Sequence, residues 1–183
     1  MTTKTMRFRV DRLTSPVGKM LIVQDDRERL RALDWENYED RMIRLFDRYY
    51  GKANVELIDG DGSGRVVEAL TRYIAGDLDV IDKLEVETQG TVFQRRVWRE
   101  LRRIPCGETW TYGELARRIG KPRASRAVGL ANGANPVGIV VPCHRVIGAD
   151  HSLTGYGSGL ERKRWLLEHE GVIVDRPRQM SLV

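Results

Sequence analysis

The feature that most constrains this chain is a break in charge at Gln89-Gly90. Residues 1–90 hold 15 Lys and Arg against 18 Asp and Glu, a net of −3, whereas residues 91–183 hold 16 against 8, a net of +8. A length of 183 residues suits one large domain or two small ones. The change of sign follows a stretch rich in Asp and Glu (78–90), which reads as a linker. We therefore expect one domain over 1–88, a second over 91–172 and a loose tail over 173–183. A basic second half suits a phosphate-binding surface, because each Lys or Arg contact releases condensed counterions. Charge alone equally describes a soluble basic surface.

Within the acidic half the pattern is that of strands, then helices. Residues 6–13 alternate, Ser15-Pro16-Val17-Gly18 is a turn, and 20–23 is a short apolar strand. Asp25-Asp26 turns again before Leu30, Ala32, Asp34 and Trp35 close a third strand. A helix is predicted over 37–50, with Met42, Ile43, Phe46 and Tyr50 at helical spacing. A second follows Gly60-Asp61-Gly62-Ser63-Gly64, where Val66, Val67, Leu70 and Ile74 share a face.

The basic half opens with a capping box, Thr91-x-x-Gln94, and a helix whose Phe93, Val97, Leu101 and Ile104 share one face with arginines around the rest. A second capping box, Thr111-x-x-Glu114, opens a helix over 112–119. After the turn Gly120-Lys121-Pro122-Arg123, Ser125 is placed to cap a further helix over 126–131, and the pair reads as a helix-turn-helix. Asn135-Pro136 then leads into an apolar strand over 137–141. The last helix, 160–169, presents Leu160, Trp165, Leu166 and Leu167, with Arg162, Lys163 and Arg164 outward.

Several classes are set aside at once. No apolar run approaches a membrane span, and Met1-Thr2-Thr3-Lys4 begins no hydrophobic leader. Two cysteines are too few for a disulfide framework and fit a reducing cytoplasm. Neither the cysteines nor His144, His151 and His169 have metal-ligand spacing, so no metal is expected.

The chemistry gathers at Pro142-Cys143-His144-Arg145-Val146-Ile147-Gly148. A free thiol near pKa about 8.5 is only a few per cent thiolate at neutral pH, so a nucleophile needs a base or positive charge nearby. Burial behind 137–141 would push the pKa the wrong way. Neighbours on a strand face opposite sides, so His144 reaches Cys143 only through a bend or a bridging water. Free cysteines also serve as small core hydrophobes, and from these two residues both readings stand. Glu170, Glu168 or Asp150 could orient the imidazole, and spacing does not choose among them. Asn135 is either a turn former or a donor to the sulfur. Arg126, Ala127, Val128, Gly129, Ala131 and Gly133 suit close approach to DNA without base reading, or tight helix packing. Gly155-Tyr156-Gly157-Ser158-Gly159 has Leu160 where a dinucleotide fingerprint needs its third glycine, and reads as a loop lining a pocket.

Taken with Thr111-Tyr112-Gly113-Glu114-Leu115-Ala116, Arg126-Ala127-Val128-Gly129, Asn135-Pro136 and Trp165-Leu166-Leu167-x-His169-Glu170-Gly171, that heptapeptide closely resembles the O6-alkylguanine-DNA alkyltransferases, or methylated-DNA–protein-cysteine methyltransferases. The resemblance is strong over about 91–172 and looser before it, and the length resembles the stand-alone bacterial form. It implies an α/β protein: a ribonuclease-H-like N-terminal domain with a small antiparallel sheet, and a winged helix-turn-helix domain carrying the active site. It implies double-stranded DNA containing O6-alkylguanine as partner, no membrane, and a cytoplasmic monomer. Cys143 would accept the alkyl group. His144 would act as base through a water, oriented by Glu170. Asn135 would hold the active-site turn, and Tyr112 would protonate the departing guanine and crowd the phosphate. Arg126 would fill the vacated stack, with Ser125, Ala127 and Gly129 on the DNA-facing helix. Val146, Tyr156, Gly157 and Ser158 would line the pocket.

Elementary chemistry fits those roles. The alkyl carbon of a stacked base lies out of reach of a buried thiol, so the nucleotide must flip. Guanine leaves poorly as an anion and needs a proton donor. The thioether product cannot be reversed by anything in the chain, so one molecule acts once, and no cofactor is expected because the DNA itself donates the alkyl group. Two departures from the family pattern stand out. Gly157 replaces a Ser or Ala, which predicts a roomier pocket tolerating groups beyond methyl; Ser158 replaces a Gly, which predicts strain if its φ is positive. The preferred alkyl group and any action on O4-alkylthymine stay open. The rival readings are a non-enzymatic lesion-binding module, which Cys143 argues against, and a thiol hydrolase with turnover on small esters or peptides.

Overall fold

The computed structural model describes residues 5–51 and 54–174; residues 1–4, and the expected tail from 175 on, fall outside the described residues. Four strands form the first sheet in the order β3-β2-β1-β4. β1 (Met6–Ser15) and β2 (Gly18–Gln24) make a hairpin whose register closes at Ser15 opposite Gly18. β3 (Leu30–Trp35) adds antiparallel to β2. A strand that the pattern reading missed, β4 (Val55–Asp59), pairs parallel with β1, so the sheet is mixed. Four of its five residues are exposed, so it carries little of the alternation that marks a half-buried strand.

Helix α1 (Glu39–Tyr50), preceded by a 3₁₀ turn at Glu36–Tyr38, carries the chain from β3 to β4 and covers one sheet face. Met42 and Phe46 pack there on Phe8, Val10, Leu21, Val23 and Ala32. Each such large side chain contributes about 1.5–3 kcal/mol when fully buried. Ile43, expected on that face, points to solvent at 41% exposure. The opposite face of the sheet, with Met20, Ile22, Leu33 and Trp35, belongs to a core shared with α2 (Arg65–Ile74) and the whole basic half.

The stretch expected to be a free linker is built into the fold. Residues Leu78–Lys83 form a 3₁₀ helix, and Leu30 exchanges backbone hydrogen bonds with Glu85 and Glu87. Further along β3, Leu33 N–H donates to Pro136 O, and Gly138 N–H donates to Leu33 O. The outer edge of the sheet is thus covered by segments from elsewhere in the chain, which removes a row of unpaired backbone groups.

In the basic half, α3 (Val92–Leu101) and α4 (Tyr112–Arg118) both begin with the expected capping boxes, fully formed. α4 ends at Gly120, whose φ of 69° lets Lys121 N–H reach back to Ala116 O. α5 (Ser125–Gly133) starts one residue earlier than Ser125 capping would require. Its N-cap is Ala124, without a side-chain cap, because the turn Lys121–Ala124 runs straight into the helix. Strands in this half, among the described residues, are β5 (Trp110–Thr111) and β6 (Val146–Ile147), which pair in parallel.

The predicted strand over 137–141 is not a strand. It is a compact chain of turns, with Val140 N–H donating to Gly138 O, Val141 N–H to Val137 O, and Ile139 at a φ of 66°. The apolar run reported burial, not extension: Val137, Ile139, Val140 and Val141 are at most 4% exposed. A β-branched residue at positive φ is a true outlier, held only where surrounding packing over-determines it. α6 (Leu160–His169) matches its predicted span, but Lys163, expected outward, is wholly buried.

Candidate active site

Cys143 lies at the start of a single 3₁₀ turn, Cys143–Arg145, that follows the buried turns 137–141. Successive side chains on such a turn diverge by about a third of a revolution. His144 therefore points away from the sulfur for a helical reason and not the strand reason expected. Cys143 is 7% exposed, and its Sγ accepts a hydrogen bond from Asn135 Nδ2 at 3.2 Å. The same amide donates to Val141 O at 2.8 Å, and Asn135 Oδ1 accepts from Val137 N–H. Asn135 is thus both turn former and sulfur donor. Burial pushes the Cys143 thiol up, only partly offset by Asn135 and the charge of Arg41.

Behind the cysteine sits a closed polar cluster. His144 Nε2 is 2.9 Å from Glu170 Oε1, which selects Glu170 over Glu168 and Asp150 as its partner. Glu170 also accepts from Tyr73 OH at 2.7 Å and, on both oxygens, from Arg145. Arg145 completes its fork on Ile104 O at 2.6 Å. Burial alone would raise the Glu170 carboxyl, but His144 and Arg145 overcome it and hold the group well below the usual carboxylate range. Burial lowers His144, and Glu170 only partly restores it, so the imidazole is neutral at neutral pH. With Nε2 donating to Glu170, Nδ1 is the bare acceptor, and it has no hydrogen-bond partner in the protein. It has what a base requires, an open lone pair and a fixed tautomer.

Tyr112 begins α4, half-buried, with its ring against Gly129 of α5 and its hydroxyl beside Gly155. Burial pushes its hydroxyl up, so it keeps its proton at neutral pH. Cys143, Asn135, Tyr156, Gly157 and Ser158 line one cavity, as their sequence pattern implied. Val146, expected there, lies fully buried behind it and does not line it. Its carbonyl and that of Thr154 receive Lys163 Nζ, whose burial brings its pKa down to about 8. Ser158 is not among the residues with positive φ, so the expected strain is absent; its Oγ donates to Asp34 at 2.7 Å. Nor is the pocket roomier at Gly157. The guanidinium of Arg41, from α1, lies within 2.8–3.0 Å of where a Cβ would stand.

The outward face of α5 carries Arg126, Ala127, Leu130 and Gly133, while Val128 and Ala131 pack inward. Ser125 and Gly129 are half-buried beside that face. Small residues therefore serve both ends that the sequence left open, according to position. Leu130 is 73% exposed, an apolar side chain with no partner in the fold. Arg117, Lys121 and Arg123 are exposed nearby, and Arg118 stacks on Trp110 at 3.7 Å. Among the described residues no helix is long and apolar enough to cross a membrane, and no group of three His, Cys, Asp or Glu is placed to hold a metal.

Sequence reading missed Asp34, Arg41, Tyr73, Arg145 and Lys163. Only Arg145 carried a signal, as part of the heptapeptide; the others come from distant helices and strands and are united only by folding.

Residues 92–172 match the DNA-binding domain of 6-O-methylguanine DNA methyltransferase, and residues 10–88 match the ribonuclease-like domain of the same family. A methylated-DNA–protein-cysteine methyltransferase of Shigella flexneri is 47% identical over 92% of this chain and 99% of its own length. One from Mycolicibacterium paratuberculosis is 62% identical over 70% of this chain and 78% of its own. The solved structure of Mycobacterium tuberculosis OGT in complex with DNA superposes with a TM-score of 0.73 at 40% identity, covering 89% of this chain and 93% of that one. On this evidence, and on a cysteine–asparagine pocket backed by a His–Glu pair, the chain belongs to the methylated-DNA–protein-cysteine methyltransferase family.

Proposed function

We propose that this protein repairs O6-alkylguanine in double-stranded DNA by moving the alkyl group irreversibly onto Cys143. The observation that carries the reading is the arrangement around that thiol: Asn135 on the sulfur, and next to it a buried His144 whose Nδ1 is unpartnered and whose Nε2 is tied to Glu170. The thiol gives its proton to His144 Nδ1 through a water, the imidazolium being stabilised by Glu170. Sulfur attacks the alkyl carbon, the carbon–oxygen bond breaks, and the S–C bond forms. Tyr112 gives the departing guanine a proton, so that the base leaves neutral. The proton taken from the thiol balances the one given up by Tyr112.

The basic face of α4 and α5 would hold the phosphates, in a salt-dependent way. Arg126, exposed at the first turn of α5, would fill the space left by the flipped nucleotide. No cofactor enters, since DNA supplies the alkyl group and the chain itself is the acceptor. The division near residues 88–91, the monomeric state and the cytoplasmic location belong to the same reading.

The test is intact-mass measurement after mixing with a duplex containing O6-methylguanine. A stoichiometric gain of one methyl group, absent in Cys143→Ala, is the expected result. Repeated turnover without a mass change would overturn it.

A further inference from the structure

The cavity beside Cys143 holds only about 10 Å³ of free space, room for a single water. Pockets that take small ligands run to roughly 300–1,000 Å³. Something in its wall must leave before a nucleobase can enter, and the wall is uneven. Asn135 and Cys143 are fixed in buried turns, whereas Arg41 is a long side chain with 22% of its surface exposed. Its Nη2 donates to Gly133 O at 2.9 Å and to Asn135 O at 3.4 Å, and its Nη1 pairs with Asp34. Asp34 in turn accepts from Ser158 Oγ, so arginine, carboxylate and pocket loop form one clasp between the two halves of the chain.

We propose that Arg41 is the gate and size filter of the base pocket. Its guanidinium stands where the missing side chain of Gly157 would be, and it must swing out for an alkylated base to enter. The Asp34–Ser158 clasp sets how readily it does so. This rests on Cys143 being the alkyl acceptor, but the gate itself concerns access to the thiol and is measurable without DNA. Withdrawing a guanidinium from a buried carboxylate is costly in isolation. Beside DNA the released cation faces phosphates, so the gate would open more readily for a base presented on DNA than for a free one.

Two readouts test this, in a Cys106→Ser background. The first is the rate of Cys143 labelling by N-ethylmaleimide without DNA. The second is thioether formation from free O6-benzylguanine, divided by the rate from an O6-methylguanine duplex. Arg41→Ala is expected to raise both at least threefold. Ser158→Gly, which frees the loop without removing charge, is expected to raise labelling by a smaller factor and remains informative if Arg41→Ala does not fold. A change under threefold in both readouts for a folded Arg41→Ala, or no rise at all in Ser158→Gly, overturns the gate. Should the wild type fail to take methyl from the duplex, the acceptor reading falls, and labelling alone still decides the gate.

Discussion

Glu170 and Asp34 are both carboxylates almost wholly withdrawn from water, 4% and 2% exposed; Glu170 binds His144, the residue after Cys143, and Asp34 lines the cavity beside Cys143. Their partners differ. Glu170 is held by His144, Arg145 and Tyr73, which are all buried, and its cluster forms the rigid support behind the thiol. Asp34 is held by Ser158, by the Trp35 backbone N–H and by Arg41, whose side chain reaches solvent. A buried charge network whose every member is enclosed can only be broken by unfolding; one with a long, partly exposed member can release that member. The first arrangement suits a fixed proton relay, the second a movable wall.

The comparison breaks most visibly at Glu170. In Glu170→Gln, Arg145 loses its counter-charge in the interior, at a cost of about 3–5 kcal/mol. For a chain this size that lowers Tm by roughly 6–20 °C, readable by thermal denaturation. Methyl transfer should fall by about 10²-fold or more, since the imidazole loses the group that fixes its tautomer.

Acid should dissect the same cluster. The folded protein keeps His144 neutral, so stability declines as pH falls below about 6.5, where the unfolded imidazole takes up a proton first. The depressed Glu170 carboxyl adds a second loss as pH drops below about 4.5 toward its lower folded value. Urea unfolding from pH 7 down to pH 3 should show both losses. Glu170→Gln should keep the loss below about 6.5, since burial still holds His144 neutral, and abolish the one below about 4.5. An unchanged acid limb would count against the cluster as drawn.

Asp34→Asn probes the movable side and should cost less, about 1–2 kcal/mol, because Arg41 can turn to water when its partner is neutralised. A loss as large as that of Glu170→Gln would erase the distinction between the two carboxylates. The smallest effect is expected outside both networks. Arg126→Ala should leave the unfolding free energy within about 0.5 kcal/mol of wild type. It should weaken binding to an O6-methylguanine duplex more than to the same lesion in single-stranded DNA, which has no stack to fill, measured by fluorescence anisotropy.

Much was legible because it is local. Capping boxes at Thr91 and Thr111, the turn at Gly120 and the span of α6 depend on neighbours within a few residues, and all are present. Strand β4 was missed because its residues are exposed, and 137–141 was misread because a buried strand and a buried run of turns share one apolar signature. Lys163 was placed outward because a lysine is almost never wholly buried unless its charge finds partners, and those partners are carbonyls from two other segments.

From the sequence by itself came the proposed acceptor Cys143 with His144, Asn135 and Glu170, through the motifs that carry the family resemblance, and the two capping boxes and the charge division, through residue type and short spacing. Only the tertiary structure gathered Arg145 and Tyr73 with His144 around Glu170, placed Arg41 in the space that Gly157 leaves, and joined Asp34 to Ser158 across 124 positions. Those pairings are set by long-range packing of a sheet edge against buried turns, and no periodicity in the chain records which distant side chains that packing will bring together.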